Sequence, residues 1–169
     1  MDRHPRVLSE LRQVVVERAV GHVWRGYGSA IFLELGALTY STRADGRQGQ
    51  PRGEVSIGIE WNWRFERPRS ILGGTWSDER RWSGFFRSIL GQTVRDLALL
   101  GTLPEIELTF SNGMRLRSFM NDAGQPQWSV IETRSSAARM WWVERGRVVC
   151  ETKGEEPAVP EEASKRDDA

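Results

Sequence analysis

The chain reads as an α+β domain: an antiparallel, twisted sheet or partial barrel with one or two helices packed on it. Three observations predict that class. Period-two apolar runs recur along the chain, turn signals join several of them, and one stretch carries a strong helical period.

The elements follow in order. A weaker helix covers Pro5 to Gln13 through Leu8 and Leu11. Ile31, Leu33 and Leu35 alternate with Phe32 and Glu34 and stop at Gly36, the pattern of a half-buried strand. In "SIGIEWNWRFERPR" (Ser56–Arg69), Ile57, Ile59, Trp61, Trp63 and Phe65 fall on one face, which predicts a single strand with both tryptophans in the core. Ser77 is placed to cap a helix, with Asp78 and Glu79 in its first turn. Trp82, Phe85, Phe86, Ile89 and Leu90 then form one stripe, and Gly91 suits the position just past the end.

Beyond the helix, Ile106, Leu108 and Phe110 alternate with Glu105, Glu107 and Thr109. "SNG" (Ser111–Gly113) predicts a type I′ hairpin turn, returning through Met114, Leu116 and Met120 with Arg115 and Arg117 outward. Trp128, Val130 and Ile131 open the next strand, and "ARMWWVERGRVVCE" reads as a second hairpin turning at Arg145–Gly146.

An internal repeat runs through these pieces. "LRQVV" (Leu11–Val15) pairs with "LGQTV" (Leu90–Val94), each leading to an apolar strand, "IFLEL" or "IELTF", and later to a tryptophan strand around Trp61 or Trp128. The offset drifts from 79 to 75 residues. This divides one globular domain, 1–153, into candidate halves 6–76 and 77–152. From Glu151 to Ala169 seven acids face three bases, with Pro157, Pro160 and no aromatic residue. Such a composition cannot repay the entropy of ordering, and residues 154–169 are expected to be a disordered acidic tail.

The runs "GYGSAIFLELG", "EWNWRF" and "LTFSNGMRLRSF…W" resemble a bacterial family of uncharacterised small β-rich domains, over about Leu8 to Thr133. In that family a Gly-Ser-hydrophobic strand precedes tryptophan-bearing strands. The resemblance implies a structural framework and carries no activity or catalytic residue.

Composition closes several routes to chemistry. A single cysteine, Cys150, excludes an internal disulfide and a cysteine-based zinc site, and His4 and His22 have no partner at ligand spacing. No metal or cofactor is expected. There is no nucleophile elbow, and "GYGSA" lacks a phosphate-loop lysine. No apolar run reaches the roughly 18–20 residues that span a bilayer, and "MDRHPRVLSELRQ" lacks the apolar core of a signal peptide. The expectation is a cytoplasmic protein away from membranes.

Two binding surfaces remain as candidates. Residues 1–150 hold 21 arginines, no lysine and 16 acids, a net charge of +5. The absence of lysine points to a biased genome more than to a selected surface. Arg64, Arg67, Arg69, Arg80, Arg81, Arg115 and Arg117 could still grip a phosphate backbone if they met on one face. The alternative is that they pair with Glu60, Glu66 or Asp78. In "RMWW", Trp141 projects with Arg139 if Met140 and Trp142 face the core, making a hairpin edge able to dock a partner. The favoured reading is a non-enzymatic protein-binding module, of an immunity or accessory kind, with its partner and oligomeric state open. Nucleic-acid binding comes second, and an enzyme with an unrecognised acid–base site third.

Overall fold

The computed structural model describes residues 5–121, 127–134 and 137–153; the expected acidic tail, 154–169, lies outside them. The chain is α+β. Among the described residues are helices α1 (Pro5–Val15) and α2 (Trp82–Ile89) and eleven strands. The strands are β1 (Val20–Arg25), β2 (Ile31–Leu35), β3 (Val55–Ile59), β4 (Asn62–Arg67), β5 (Ser70–Gly74), β6 (Val94–Leu100), β7 (Glu105–Phe110), β8 (Arg115–Phe119), β9 (Trp128–Glu132), β10 (Ala138–Glu144) and β11 (Arg147–Lys153).

They form two antiparallel sheets, ordered β1-β2-β3-β9-β10-β11 and β5-β4-β8-β7-β6, which do not close into a barrel. Leu33, Ile57, Val130 and Trp141 of the first sheet share one core with Phe65, Leu97, Leu108 and Leu116 of the second. Helix α1 buries Leu11, Val14 and Val15 and packs on β6, while α2 buries Trp82, Phe85 and Ile89 and packs on β1 and β5.

The two sheets are related by a pseudo-two-fold exchange. Replacing β1, β2, β3, β4 and β5 by β6, β7, β8, β9 and β10 turns the first five strands of one sheet into the whole of the other. Each half builds three strands of one sheet and sends its next two across. The axis lies where the two entry segments meet: Ala19 bridges Thr93, and the backbone bonds come in matched pairs. Val20 N–H donates to Gln92 and Val94 N–H to Arg18, at 2.8 and 2.9 Å; Glu17 donates to Val94 and Gly91 to Val20, both at 2.8 Å. An offset of 74 residues takes each bond of a pair into the other. Glu17 and Gly91, equivalent under that offset, both hold positive φ, 66° and 75°. The "LRQVV"/"LGQTV" match is therefore not the structural equivalence, because Leu11 lies inside α1 while Leu90 lies beyond the end of α2.

Several local expectations need correction. Ser56–Arg69 is two strands rather than one: β3 belongs to the six-stranded sheet and β4 to the five-stranded sheet, with a corner at Glu60–Trp61. Both sheets face the same core, so Ile57, Ile59, Trp63 and Phe65 all stay inside while Trp61, on the corner, turns out. The cap before α2 is Asp78, whose carboxylate accepts from Arg80 N–H and opens a 3-10 turn at Glu79–Arg81; the Ser77 hydroxyl instead accepts from Gly74 N–H. Leu90 leaves the stripe because its backbone is already extended. At Ser111–Gly113 only Gly113 has positive φ, so that hairpin closes by a three-residue turn. The type I′ turn is at Arg145–Gly146, where both residues have positive φ.

Candidate functional site

The β1–β2 turn, the β3–β4 corner and the segment after β5 converge at one end of the two sheets. Gly26 N–H donates to Ala30 carbonyl at 2.8 Å, Gly28 takes φ 62°, and Tyr27 at the tip is 99% exposed. A side chain at Gly26 would collide with the Phe32 ring, 2.6 Å from its Cβ, so the turn can lie flat against that ring only as glycine. The Trp61 carbonyl accepts from Ser29 Oγ at 2.8 Å and Thr75 Oγ1 at 3.2 Å, which ties the corner to both neighbouring segments. Its indole is 40% exposed. Ser77 N–H donates back to Gly74 carbonyl at 2.9 Å, and Trp76, between them, is 90% exposed.

Arg25 fastens this end. It donates to Gly28 carbonyl at 2.9 Å and to both Glu79 oxygens at 2.6 and 3.0 Å, and its guanidinium lies 4.7 Å from the Trp82 ring centroid. These bonds hold the Glu79 carboxyl below its usual range. The three aromatic side chains are thus presented by hydrogen-bonded backbone, with little backbone freedom left to lose on binding.

Three adjoining clefts run between them. One of about 660 Å³ is lined by Trp24, Tyr27, Phe32, Glu60 and Trp61. The next, about 680 Å³, shares Gly28, Ser29 and Trp61 with it and continues to Asn62, Trp76 and Glu79. A third, about 470 Å³, shares Asn62 and Trp76 with the second and reaches Arg64, Ile71 and Phe119. Together they make one groove from the β1–β2 turn to the outer face of the five-stranded sheet.

The arginines do not gather into a phosphate surface. Arg64, Arg115 and Arg117 do share the outer face of β4 and β8, but glutamates interleave with them. Glu66 pairs with both Arg64 and Arg115, and Glu107 pairs with Arg117. Arg64 also stacks on Phe119, 4.4 Å from its centroid. Arg80 pairs with Asp78 at 2.6 Å, while Arg81 donates to Leu72 carbonyl at 3.2 Å and covers Phe85. Arg67 and Arg69 stand exposed near the β4–β5 turn, without an ion pair among the described residues. Arg139, in the other sheet, pairs with Glu132 at 2.6 Å.

Trp141 is a correction. It is 0% exposed and shares the inward face with Val143, whereas Met140 and Trp142 take the outward face. Pairing Trp141 with Val130, a core residue of β9, sets that register. Its indole cannot anchor a partner from the folded surface.

The groups considered for chemistry are dispersed. Among the described residues no three His, Cys, Asp or Glu side chains stand where they could hold a metal ion. His22 contacts Gln50 at 3.0 Å, on the far side of β1 from the core. Cys150 is exposed on β11, and desolvation, with a smaller contribution from Glu10, pushes its thiol above the ordinary range, against nucleophilic use. Glu105 accepts from Ser118 Oγ and Met120 N–H, and desolvation still raises its carboxyl. Among the described residues no helix is long and apolar enough to cross a membrane. No protein-family model, curated protein or solved structure matches this chain.

Sequence reasoning missed the groove because its residues come from connections rather than from strands. "GYGSA" reads as a turn, and Trp76 in "GGTWSDE" falls between a strand and a helix cap. The usable signal was an aromatic residue set among glycines at each of two turns, where no core can claim it.

Proposed function

We propose that this chain is a non-enzymatic, cytoplasmic protein-binding module, and that it takes an extended segment of a partner protein along the groove past Tyr27, Trp61 and Trp76. The observation that carries this reading is the exposure of these three aromatic side chains around connected clefts, on backbone that their neighbours hold in place. Large aromatic residues exposed together are costly unless a partner covers them, and tryptophan and tyrosine dominate binding hot spots. The groove's length suits a chain-like ligand more than a compact one.

The pairing of Arg64, Arg115 and Arg117 with Glu66 and Glu107 weighs against nucleic acid, because a phosphate would have to displace carboxylates already seated. The scatter of titratable groups weighs against catalysis.

The test is capture from nuclease-treated native lysate with three baits: the full chain, the chain carrying Trp61→Ala and Trp76→Ala, and the chain carrying Arg115→Ala and Arg117→Ala. The expected result is one near-stoichiometric protein bound by the first and third baits and lost by the second. Equal recovery by all three would remove the groove from the account.

A further inference from the structure

Among the described residues, four arginines follow one arrangement: a guanidinium lies over an aromatic ring and pairs with a glutamate. Arg25 lies over Trp82 with Glu79, and Arg52 over Trp24 with Glu34. Arg64 lies over Phe119 with Glu66, and Arg139 over Trp141 with Glu132. In each, the ring face and the carboxylate act on the same cation, and the planar guanidinium can stack and donate at once.

Glu60 and Trp61 bring a carboxylate and an aromatic ring into one cleft with no arginine of the described residues lining it. Every other carboxylate in the described residues either has a hydrogen bond or ion pair or is exposed to solvent, as Glu144 and Glu151 are. Glu60 is half-buried and its carboxylate has neither kind of partner among the described residues. Trp24 is already engaged, with Arg52 at 5.2 Å from its ring centroid and Phe32 stacked on it at 4.2 Å and 14°. The rings left open in this cleft are Trp61 and Tyr27. A desolvated carboxylate beside open aromatic faces is costly alone and favourable with an organic cation between them.

Resting on the protein-binding reading, we propose that the cleft formed by Tyr27, Glu60 and Trp61 is a subsite for a guanidinium group, an arginine side chain of the partner segment, with Glu60 as its counter-ion and Trp61 as its stacking surface. The partner's arginine completes here the ring–guanidinium–carboxylate arrangement that the chain builds four times from its own residues.

The experiment titrates the full chain with N-acetyl-arginine methylamide and, separately, with N-acetyl-citrulline methylamide, which keeps the shape and lacks the charge. Two-dimensional ¹H–¹⁵N spectra are followed at the Trp61 indole and at the Tyr27 and Glu60 amides. The arginine probe is expected to shift these signals saturably at millimolar concentration, and the citrulline probe is not. Glu60→Gln should weaken the arginine probe at least about tenfold, while Glu144→Gln, which removes the same charge elsewhere, should not. Equal shifts from both probes, shifts confined to other residues, or unchanged affinity in Glu60→Gln would each overturn the subsite. None of these results bears on partner capture, so failure of the groove and failure of the subsite remain distinguishable.

Discussion

Trp63 and Trp128 occupy equivalent positions in the two halves of the fold and make the same bond. Trp63 Nε1–H donates to Ser29 carbonyl and Trp128 Nε1–H to Pro104 carbonyl, both at 2.7 Å. Ser29 stands two residues before β2 and Pro104 directly before β7, so each indole ties its crossing strand back to the sheet that its own half begins. Trp141, also buried, has no hydrogen-bond partner for its indole N–H among the described residues.

That contrast gives a stability prediction. Trp63→Phe and Trp128→Phe should each cost about 2–3 kcal/mol, since they lose volume and leave a carbonyl unpaired. Trp141→Phe loses only the volume and should cost less than either. Denaturant midpoints of the three variants, at unchanged m, check the order.

Glu34 is fully buried and accepts from Trp24 Nε1 at 2.9 Å, Gly53 N–H at 2.9 Å, Ser56 Oγ at 3.1 Å and Arg52 at 3.3 Å. It fastens the long β2–β3 connection to the sheet. Glu34→Ala should cost about 3–5 kcal/mol by orphaning these donors, whereas Arg52→Ala, at the exposed side of the cluster, should cost about 1 kcal/mol or less. Thermal unfolding of both variants measures the difference.

Much of this fold was legible, and its failures have physical causes. Period two located β2, β7 and β8 because each has one face in the core. It could not reveal the corner at Glu60–Trp61, since a strand that changes sheets keeps its inside facing the same core. It could not orient β10 either: Met140 and Trp142 are as apolar as Trp141 and Val143, and only pairing with β9 decides. The groove was the least legible part. Tyr27, Trp61 and Trp76 come together through a topology that no local pattern contains.

The exposed aromatics should be dispensable to folding. Trp76 is held by its backbone rather than by its ring, so Trp76→Ala should leave stability within about 0.5 kcal/mol, while Trp61→Ala, which uncovers the inner side of the corner, should cost about 1–2 kcal/mol. A parental melting temperature for Trp76→Ala with a modest drop for Trp61→Ala would show this; a large drop for Trp76→Ala would mean that its ring supports the fold.

Glu60 carries a pH signature. Desolvation raises its carboxyl above the usual range, so the fold favours the protonated form. Its charge is a cost at pH 7, absent below the unfolded value near about pH 4. Glu60→Gln should therefore raise the melting temperature at pH 7 and leave it unchanged at about pH 3.5. A gain of equal size at both pH values would assign the effect to something other than charge.

The arginine face should bind nucleic acid poorly. Single-stranded DNA titrated into the full chain should show no saturable binding at physiological salt, because Arg64, Arg115 and Arg117 are already engaged by Glu66 and Glu107, which leave the cluster a small residual charge. Tight binding with a steep salt slope would restore those arginines as a phosphate surface.

The most direct test of the groove is oxidative footprinting of the chain with and without its captured partner. The account predicts that Tyr27, Trp61 and Trp76 lose most of their reactivity in the complex while Tyr40, exposed in the β2–β3 connection, keeps its own. If the complex forms and these three residues stay as reactive as in the free chain, the partner sits elsewhere and the central claim fails.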